Sequence, residues 1–305
     1  MSLVECVPNF SDGRDASVLV ALTEAVLAVK DATVLDASQD PDHHRAVLTF
    51  AAAGGAALEA GLALVRVATE RIDLRRHAGA HPRMGATDVF PIVPLGDSTL
   101  EDCVLLARAL GERIGEELGI PVFLYGAAAT RPGRKRLPDV RRGGFEFLRV
   151  RIGSDPDFEP DAGPARIHPS AGATAVGVRE FLIAFNVLLE TNEVEPARRI
   201  ARRLRESDGG LQGVRALGLY LDSLDRAQVS MNLTDYRRTG LVRAFEEVER
   251  LAREEGVRVA GSELIGLAPA AALDASVARR VRLRNFSAEH SIVERRLKAL
   301  TRRTE

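Results

Sequence analysis

Val214-Arg-Ala-Leu-Gly-Leu-Tyr220 and Ala227-Gln-Val-Ser-Met231 are two strand-forming runs that follow each other with no helical pattern between them. An amphipathic helical pattern lies on either side of this pair, and a further apolar run lies beyond each helix. These four flanking elements are Phe181–Phe185, Val194–Leu204, Leu241–Glu255 and Ser262–Leu267. The order is therefore β-α-β-β-α-β, which is typical of the split βαβ, ferredoxin-like motif.

The first half of the chain repeats this order. Strand patterns begin at Val4, Ala32, Arg45 and Asp88, and helical patterns cover Ala16–Val29 and Ala56–Ile72. An extra helix over Leu100–Leu118 and an extra strand at Pro121–Tyr125 follow, and Gly126–Pro169 is expected to be a long loop. The sequence thus predicts an α+β fold of two ferredoxin-like βαββαβ subdomains, an internal duplication that frames a substrate cleft. We expect the N-terminal subdomain to cover residues 1–176 and the C-terminal subdomain to cover residues 177–305.

Composition excludes several classes of protein. The 305 residues carry 42 basic and 43 acidic side chains, a net charge of −1, which argues against bulk nucleic-acid binding. A hydrophobic fraction of 46% argues against disorder. Two cysteines cannot form a disulfide framework, and neither a signal peptide nor a membrane span is recognisable, so we expect a cytoplasmic protein. Only three of the 42 basic residues are lysines, so nearly all of the positive charge is carried by arginine.

The segment Arg76–Asp88 carries the densest set of reactive side chains. His81 can take up a proton near pH 7, and Arg76 and Arg83 can bind a carboxylate with two parallel hydrogen bonds. His77 and His81 have the spacing of metal ligands on a helix, but the glycine and proline between and after them argue against a helix, so no metal is expected. A polar surface turn is the alternative interpretation of this segment.

Two further segments are open to two interpretations each. The run Asp40-Pro-Asp-His-His-Arg45 is either a solvated hairpin turn or a cluster that assists His81, with Arg45 as an anion contact. The segment Gly163–Gly172 is either a linker or a polar lining that includes His168. The chain contains no GxGxxG, P-loop or GxSxG motif, so dinucleotide, ATP and α/β-hydrolase functions have no support.

Five segments resemble the signatures of glutamate formimidoyltransferases, in the same order along the chain. They are Val4-Glu-Cys-Val-Pro-Asn-Phe-Ser-Asp-Gly13, Arg45-Ala-Val-Leu-Thr-Phe50, His81-Pro-Arg-Met-Gly-Ala-Thr-Asp88, Leu182-Ile-Ala-Phe-Asn186 and Ala227-Gln-Val-Ser-Met-Asn-Leu233. The resemblance covers the transferase part alone, without the cyclodeaminase domain of the bifunctional animal enzymes. It implies two ferredoxin-like subdomains and a homodimer. It also implies transfer of the formimino group from N-formimino-L-glutamate to N5 of tetrahydrofolate, the co-substrate, late in histidine degradation.

The same resemblance implies the site residues. His81 is the expected general base and acid. The expected folate-binding residues are Gly163, Pro164, Ala165, Arg166, Ile167, His168, Pro169, Ser170, Ala171 and Gly172. Residues expected to bind substrate are Asn9, Asp40, Arg45, Arg83, Asn186 and Asn232. The sequence departs from the animal enzymes at His44, where they carry Asn, and at Ala171, where they carry Trp.

Three other functions stay open at this point. A formyl-transferring relative would use N-formylglutamate as the donor, or 5-formyltetrahydrofolate in the reverse direction. A non-catalytic folate-binding protein would keep the cleft and lose the chemistry. A metal-dependent amidohydrolase has the least support, because it needs a ligand set that the sequence does not provide. In every case the expected partners are small molecules, with no nucleic acid and no membrane.

Overall fold

A computed structural model describes residues 3–41, 43–77 and 83–301, and the chain divides into two compact units, Met1–Arg179 and Glu180–Glu305. The strands are β1 (Leu3–Cys6), β2 (Asn9–Phe10), β3 (Ala32–Asp40), β4 (Arg45–Ala53), β5 (Thr87–Pro94), β6 (Val122–Gly126), β7 (Thr174–Val178), β8 (Ile183–Leu189), β9 (Val214–Leu221), β10 (Arg226–Leu233) and β11 (Val259–Ile265). The helices are α1 (Ala16–Leu27), α2 (Gly54–Arg71), α3 (Leu100–Leu118), α4 (Leu137–Val140), α5 (Gly144–Arg151), α6 (Val194–Leu204), α7 (Leu241–Glu254), α8 (Ala275–Arg280), α9 (Ala288–Ser291) and α10 (Val293–Thr301).

The sheet of the first unit has a ferredoxin-like half and a parallel extension. Strands β1 and β2 share one position in the sheet, because both pair antiparallel with β4 on one side and β5 on the other. Strand β3 pairs antiparallel with β4 at the edge. Beyond β5, strands β7 and β6 are added in parallel. Counting β1 and β2 as the first strand, the first four strands lie in the order fourth, first, third, second.

The sheet of the second unit has the same strand order. Its four strands lie in the order β11-β8-β10-β9, and all three neighbouring pairs are antiparallel. Helix α6 follows the first of these strands and α7 precedes the last, as α1 and α2 do in the first unit. The predicted α+β class and the β-α-β-β-α-β order of both halves are confirmed.

Local signals in the sequence explain where the main helices begin and end. The side chain of Asp15 accepts a hydrogen bond from the backbone N–H of Ser17 and so caps α1. Thr99 and Asp102 form a reciprocal capping box at the start of α3. Gly119 ends α3 in the left-handed conformation at φ +64°, which a residue with a side chain adopts less readily.

Each unit has its own apolar core. In the first unit Phe10, Phe50 and Phe90 are fully buried in the cluster that also receives the apolar faces of α1, α2 and α3. A second cluster, which includes Phe123 and Leu148, lies where α5 packs. The second unit buries one face of its sheet against α6 and α7. The apolar residues predicted to line one face of these helices are therefore the residues that pack against the sheets.

Two predictions about the end of the first half are corrected by the structure. The expected loop Gly126–Pro169 contains α4 and α5, which are too short, at four and eight residues, to show a clear helical pattern. Strand β7 was not predicted, because its sequence of small residues, Thr-Ala-Val-Gly-Val, lacks an alternating pattern. Since β7 pairs with β5 and β6, the first unit extends through it. The predicted boundary at residue 176 therefore falls inside this strand, and the units divide after Arg179.

Both cysteines, Cys6 and Cys103, are free thiols buried in the first unit. Burial raises the pKa of the Cys6 thiol, so this side chain is an uncharged core residue. Over the ranges that the structure describes, every helix is too short or too polar to cross a bilayer.

Candidate functional site

Arg45 and Asn9 are brought together by strand pairing. Asn9 lies in β2 and Arg45 is the first residue of β4, the strand that β2 pairs with. The Nε and Nη2 atoms of Arg45 both donate to Oδ1 of Asn9, at 2.8 and 2.6 Å, while Nδ2 of Asn9 donates to the backbone oxygen of Val7 at 2.7 Å. The amide is thereby oriented by its neighbours. Two of the predicted substrate-binding residues are thus a single hydrogen-bonded unit.

A buried carboxylate, Asp88, lies between two guanidinium groups. Its Oδ2 atom is 2.7 Å from Nη2 of Arg141 and 3.4 Å from Nη1 of Arg45, and its Oδ1 accepts the backbone N–H of Met84 at 2.8 Å. Burial lowers the pKa of Arg45 to about 10, and the charge of Asp88 opposes that shift. One negative charge facing two positive charges leaves this cluster with a net positive charge.

Sequence reasoning assigned no role to Asp88 or Arg141. Asp88 ends the quoted His81–Asp88 motif and opens an apolar strand, which is a signal for a buried, paired carboxylate. Arg141 follows α4 in the segment that was expected to be a loop. In a chain with so many arginines, nothing in the sequence distinguishes it.

His44 and His77 form a stacked pair of imidazole rings. The ring centroids are 4.3 Å apart with an angle of 24° between the planes. Nε2 of His77 is 3.2 Å from the backbone oxygen of His44, and Nδ1 of His44 accepts the backbone N–H of Gly13 at 3.0 Å. Burial lowers the pKa of both histidines, and the neighbouring ring lowers the pKa of His44 further. Both rings are therefore held in the neutral form.

Arg83 is held by groups on both sides of the site. Its guanidinium pairs with Glu146 through two hydrogen bonds of 2.7 and 3.3 Å, and its Nη2 also donates to the backbone oxygen of His77 at 3.1 Å. The Arg83 side chain is mostly buried, whereas the Glu146 side chain is 67% exposed. The predicted carboxylate-binding arginine thus already binds a carboxylate, one that solvent can reach.

The C-terminal half of the segment Gly163–Gly172 is a tight turn. His168 and Gly172 exchange two backbone hydrogen bonds, and Nδ1 of His168 accepts the N–H of Ala171 at 3.0 Å. Burial lowers the pKa of His168, which keeps this nitrogen free to accept. Gly172 has φ +73°, and a Cβ there would lie 2.3 Å from the backbone oxygen of Met84, so only glycine fits.

This turn is hydrogen-bonded to the chain before and after residues 78–82. The N–H of Leu74 donates to the oxygen of Ser170, and the N–H of Ala86 donates to the oxygen of Ala171. His81 itself lies outside the described residues. The segment predicted to bind folate and the two stretches that lead into and out of the predicted catalytic segment are therefore held together by backbone hydrogen bonds.

The other predicted residues have different surroundings. Asp40 ends β3, and its carboxylate accepts hydrogen bonds from the backbone and ring of His43 at the turn of the β3–β4 hairpin. In the second unit, Asn186 and Gln228 both donate to Oε1 of Glu263, at 3.1 and 2.9 Å. Asn232 is exposed on β10. Among the residues that the structure describes, no three His, Cys, Asp or Glu side chains are grouped as a metal site would need.

Family profiles match both units of the chain. The profile of the formiminotransferase domain, N-terminal subdomain, matches residues 3–179, and that of the formiminotransferase domain matches residues 184–295. The chain belongs to the formiminotransferase family. The residues described above, from Asn9 to Gly172, lie in the region that matches the N-terminal subdomain of this family.

Curated relatives agree with this assignment to the formiminotransferase family. The chain is 43% identical over 295 residues to a glutamate formimidoyltransferase of Streptococcus pyogenes, covering 97% of this chain and 98% of that protein. It is 44% identical over 298 residues to a glutamate formimidoyltransferase of Thermoplasma acidophilum, with the same coverage. It is also 44% identical over 278 residues to the formimidoyltransferase-cyclodeaminase of Rattus norvegicus, where the match covers 51% of the relative.

Proposed function

We propose that the protein transfers the formimino group of N-formimino-L-glutamate to N5 of tetrahydrofolate, giving 5-formiminotetrahydrofolate and L-glutamate. The supporting observation is the pair of backbone hydrogen bonds that join the turn His168–Gly172 to the stretches on both sides of residues 78–82. The family resemblance assigns folate binding to this turn and catalysis to His81. A transferase needs its acceptor next to its catalytic base. These hydrogen bonds support the proposal because they hold the predicted folate-binding turn against the stretches that flank the predicted catalytic segment.

The proposed reaction is an acyl-type transfer between two nitrogens. N5 of tetrahydrofolate attacks the formimino carbon, a new C–N bond forms, and His81 accepts the proton that N5 loses. His81 then donates that proton to the glutamate nitrogen as the original C–N bond breaks. The formimino C=N double bond is re-formed on N5 and L-glutamate leaves. No oxidant, reductant or metal is required by this balance.

The described residues would bind and orient the substrates. The donor carries two carboxylates, and the cluster of Arg45, Asp88 and Arg141 has a net positive charge that favours an anion near it. Arg83 would exchange the exposed Glu146 for a substrate carboxylate, which its planar fork recognises equally well. His77 Nδ1 and Arg83 Nε are buried atoms without a hydrogen-bond partner among the described residues, so they fit a ligand that both donates and accepts hydrogen bonds.

An assay with formiminoglutamate and tetrahydrofolate tests the proposal. Acid treatment converts 5-formiminotetrahydrofolate to 5,10-methenyltetrahydrofolate, which can be followed by its absorbance. The variant His81→Ala should lower kcat by about a hundredfold or more, because it removes the general base and acid. The variant His290→Ala changes an exposed histidine of the second unit and serves as the matched control. Turnover near the wild-type rate in His81→Ala would contradict the assigned role of His81.

We also propose that the protein is a cytoplasmic homodimer. The two free, buried thiols fit a reducing compartment, and the dimer follows from the family resemblance. Sedimentation equilibrium of the purified protein measures its mass directly. A single species near the 33.0 kDa mass of one chain, at micromolar concentration, would exclude the dimer.

A further inference from the structure

The ring of His77 is held by one hydrogen bond at Nε2 and by one stacking contact, and neither of them involves a hydrogen bond to Nδ1. Its Nε2 lies 3.2 Å from the backbone oxygen of His44, and its ring stacks on the His44 ring. The His44 ring is in turn held by the hydrogen bond that its Nδ1 accepts from the Gly13 N–H. The orientation of the His77 ring is therefore set by contacts on its Nε2 side.

These contacts determine which nitrogen of His77 carries the proton. A carbonyl oxygen can only accept a hydrogen bond, so the Nε2 that faces the His44 oxygen must donate one. Burial is the largest influence and lowers the pKa of His77; the hydrogen bond to the His44 carbonyl and the charge of Asp12 raise it, while the charges of Arg83 and Arg14 lower it, and the net shift is downward. The ring is therefore neutral with its proton on Nε2, and Nδ1 carries a lone pair.

The lone pair of His77 Nδ1 has no hydrogen-bond partner among the residues that the structure describes. The atom is buried, and no donor among the described residues lies within hydrogen-bonding distance of it. An unsatisfied buried acceptor is costly and uncommon in folded proteins. His77 directly precedes residues 78–82, which contain the predicted catalytic His81. A ligand that supplies an N–H at this point would satisfy the acceptor.

We propose that Nδ1 of His77 accepts a hydrogen bond from the formimino nitrogen of the donor and thereby selects formimino over formyl donors. The inference rests on the proposed function. The two donors differ at one position, where formiminoglutamate carries an N–H group and N-formylglutamate carries a carbonyl oxygen. That oxygen can only accept, so it would face the lone pair of Nδ1 and leave both acceptors unsatisfied. Sites built to bind a substrate N–H reject analogues that lack it for this reason.

Two variants of His77 separate its nitrogens. His77→Gln keeps a donor that can reach the His44 oxygen and removes the acceptor at the Nδ1 position. His77→Asn keeps an acceptor near the Nδ1 position and gives up the bond to His44. The measured quantity is the ratio of kcat/KM for formiminoglutamate to kcat/KM for N-formylglutamate, with tetrahydrofolate as acceptor. The control is His290→Gln, at an exposed histidine of the second unit.

We expect His77→Gln to lower this ratio by about ten- to a hundredfold and His77→Asn to lower it less. A structural role alone would lower both kcat/KM values together and leave the ratio unchanged. An unchanged ratio in both variants would overturn the inference and leave the proposed function standing. If the wild-type protein transfers no formimino group at all, the proposed function falls and this inference falls with it.

Nitrogen NMR of histidine-labelled protein provides a readout that does not depend on turnover. His77→Gln assigns the signals of His77, and long-range proton–nitrogen spectra identify the nitrogen that carries the proton. We expect the Nε2–H form in the free protein and a shift of the Nδ1 signal on addition of formiminoglutamate. A shift on addition of tetrahydrofolate alone would assign the bond to the reduced pterin and overturn the proposal. Protonation of Nδ1 in the free protein would also overturn it.

Discussion

The substitution Asp88→Asn tests whether the buried charge cluster stabilises the first unit. Asparagine has the same shape as aspartate, and its Oδ1 can still accept the N–H of Met84. The substitution removes the negative charge of Asp88, which pairs with both Arg45 and Arg141. The Asp88 side chain is 1% exposed, so water cannot replace it. Two buried guanidinium groups would then lack their carboxylate.

The size of the effect follows from the burial of Arg45. Even beside Asp88, burial lowers the pKa of Arg45 to about 10, which corresponds to about 3 kcal/mol against the charged form. Removing one partner of a buried ion pair typically costs about 3 to 5 kcal/mol, because the remaining charge stays buried. Hence we expect Asp88→Asn to lower the free energy of unfolding of the first unit by about 3 kcal/mol or more.

Urea unfolding followed by far-UV circular dichroism measures this change, since the chain contains no tryptophan for fluorescence. Hydrogen exchange of amides in β4 and β5 assigns the loss to the first unit. Asp208→Asn is the matched control, because it removes an exposed partner of Arg205 and should cost less than about 1 kcal/mol. Adding Arg141→Met to Asp88→Asn removes one of the uncompensated charges and should recover part of the loss. A change below about 1 kcal/mol in Asp88→Asn would refute this account.

Three further predictions concern the histidine pair and the predicted folate turn. The pKa of His77 is lower in the folded state, so as pH falls below about 6.5 the unfolded chain binds the proton first. Stability is then lost towards acid, by at most about 1.4 kcal/mol per pH unit and less because the ring is partly exposed, and His77→Gln should show a smaller loss between pH 7 and 5.5 in thermal unfolding. His44 has φ +51°, so His44→Ala should cost about 1 kcal/mol more than His44→Asn in urea unfolding, and equal costs would contradict strain at this position. Gly172→Ala should raise the Kd for tetrahydrofolate in calorimetry, because its Cβ would collide with the oxygen of Met84; an unchanged Kd would remove the turn from the folate site.

Much of the fold could be predicted because its elements carry regular patterns. Helices α3 and α6 begin and end at the predicted residues; a capping box marks the start of α3 and Gly119 its end, and α6 is recognised by its buried Ala197, Ile200, Ala201 and Leu204. Strand β7 could not be predicted, because its small residues pack between β5 and β6 and need no large apolar side chains. Helix α5 was not predicted either. Only Phe145 and Leu148 of its apolar residues are buried and Val150 is exposed, so its short sequence does not show a single apolar face.

The site was predictable where a residue type is rare and not where it is common. The motif that contains His81 and the turn that ends at Gly172 stand out in the sequence, and Gly172 proves to be required by a close backbone approach. Arg141 reaches Asp88 from a segment far along the chain, and only folding places it there. Nδ1 of His77 has no hydrogen-bond partner among the described residues because the folded chain orients the ring through Nε2. The sequence contains no signal for this.

The arginines near His77 have two effects: they influence the pKa of its imidazole and they attract anionic substrates. Burial is the main cause that lowers the pKa of His77, and the charges of Arg83 and Arg14 lower it further. In sites where a carboxylate partners the imidazole, the carboxylate raises the pKa and favours the charged ring. At His77, burial and the charges of Arg83 and Arg14 outweigh the opposing effects of the His44 carbonyl and Asp12, so the imidazole stays neutral, while the same arginines can attract a substrate with two carboxylates. A neutral imidazole can accept a hydrogen bond or a proton at pH 7, which the reaction proposed here requires of its histidines. An arginine-rich surrounding is therefore suited both to anionic substrates and to histidine acting as a base.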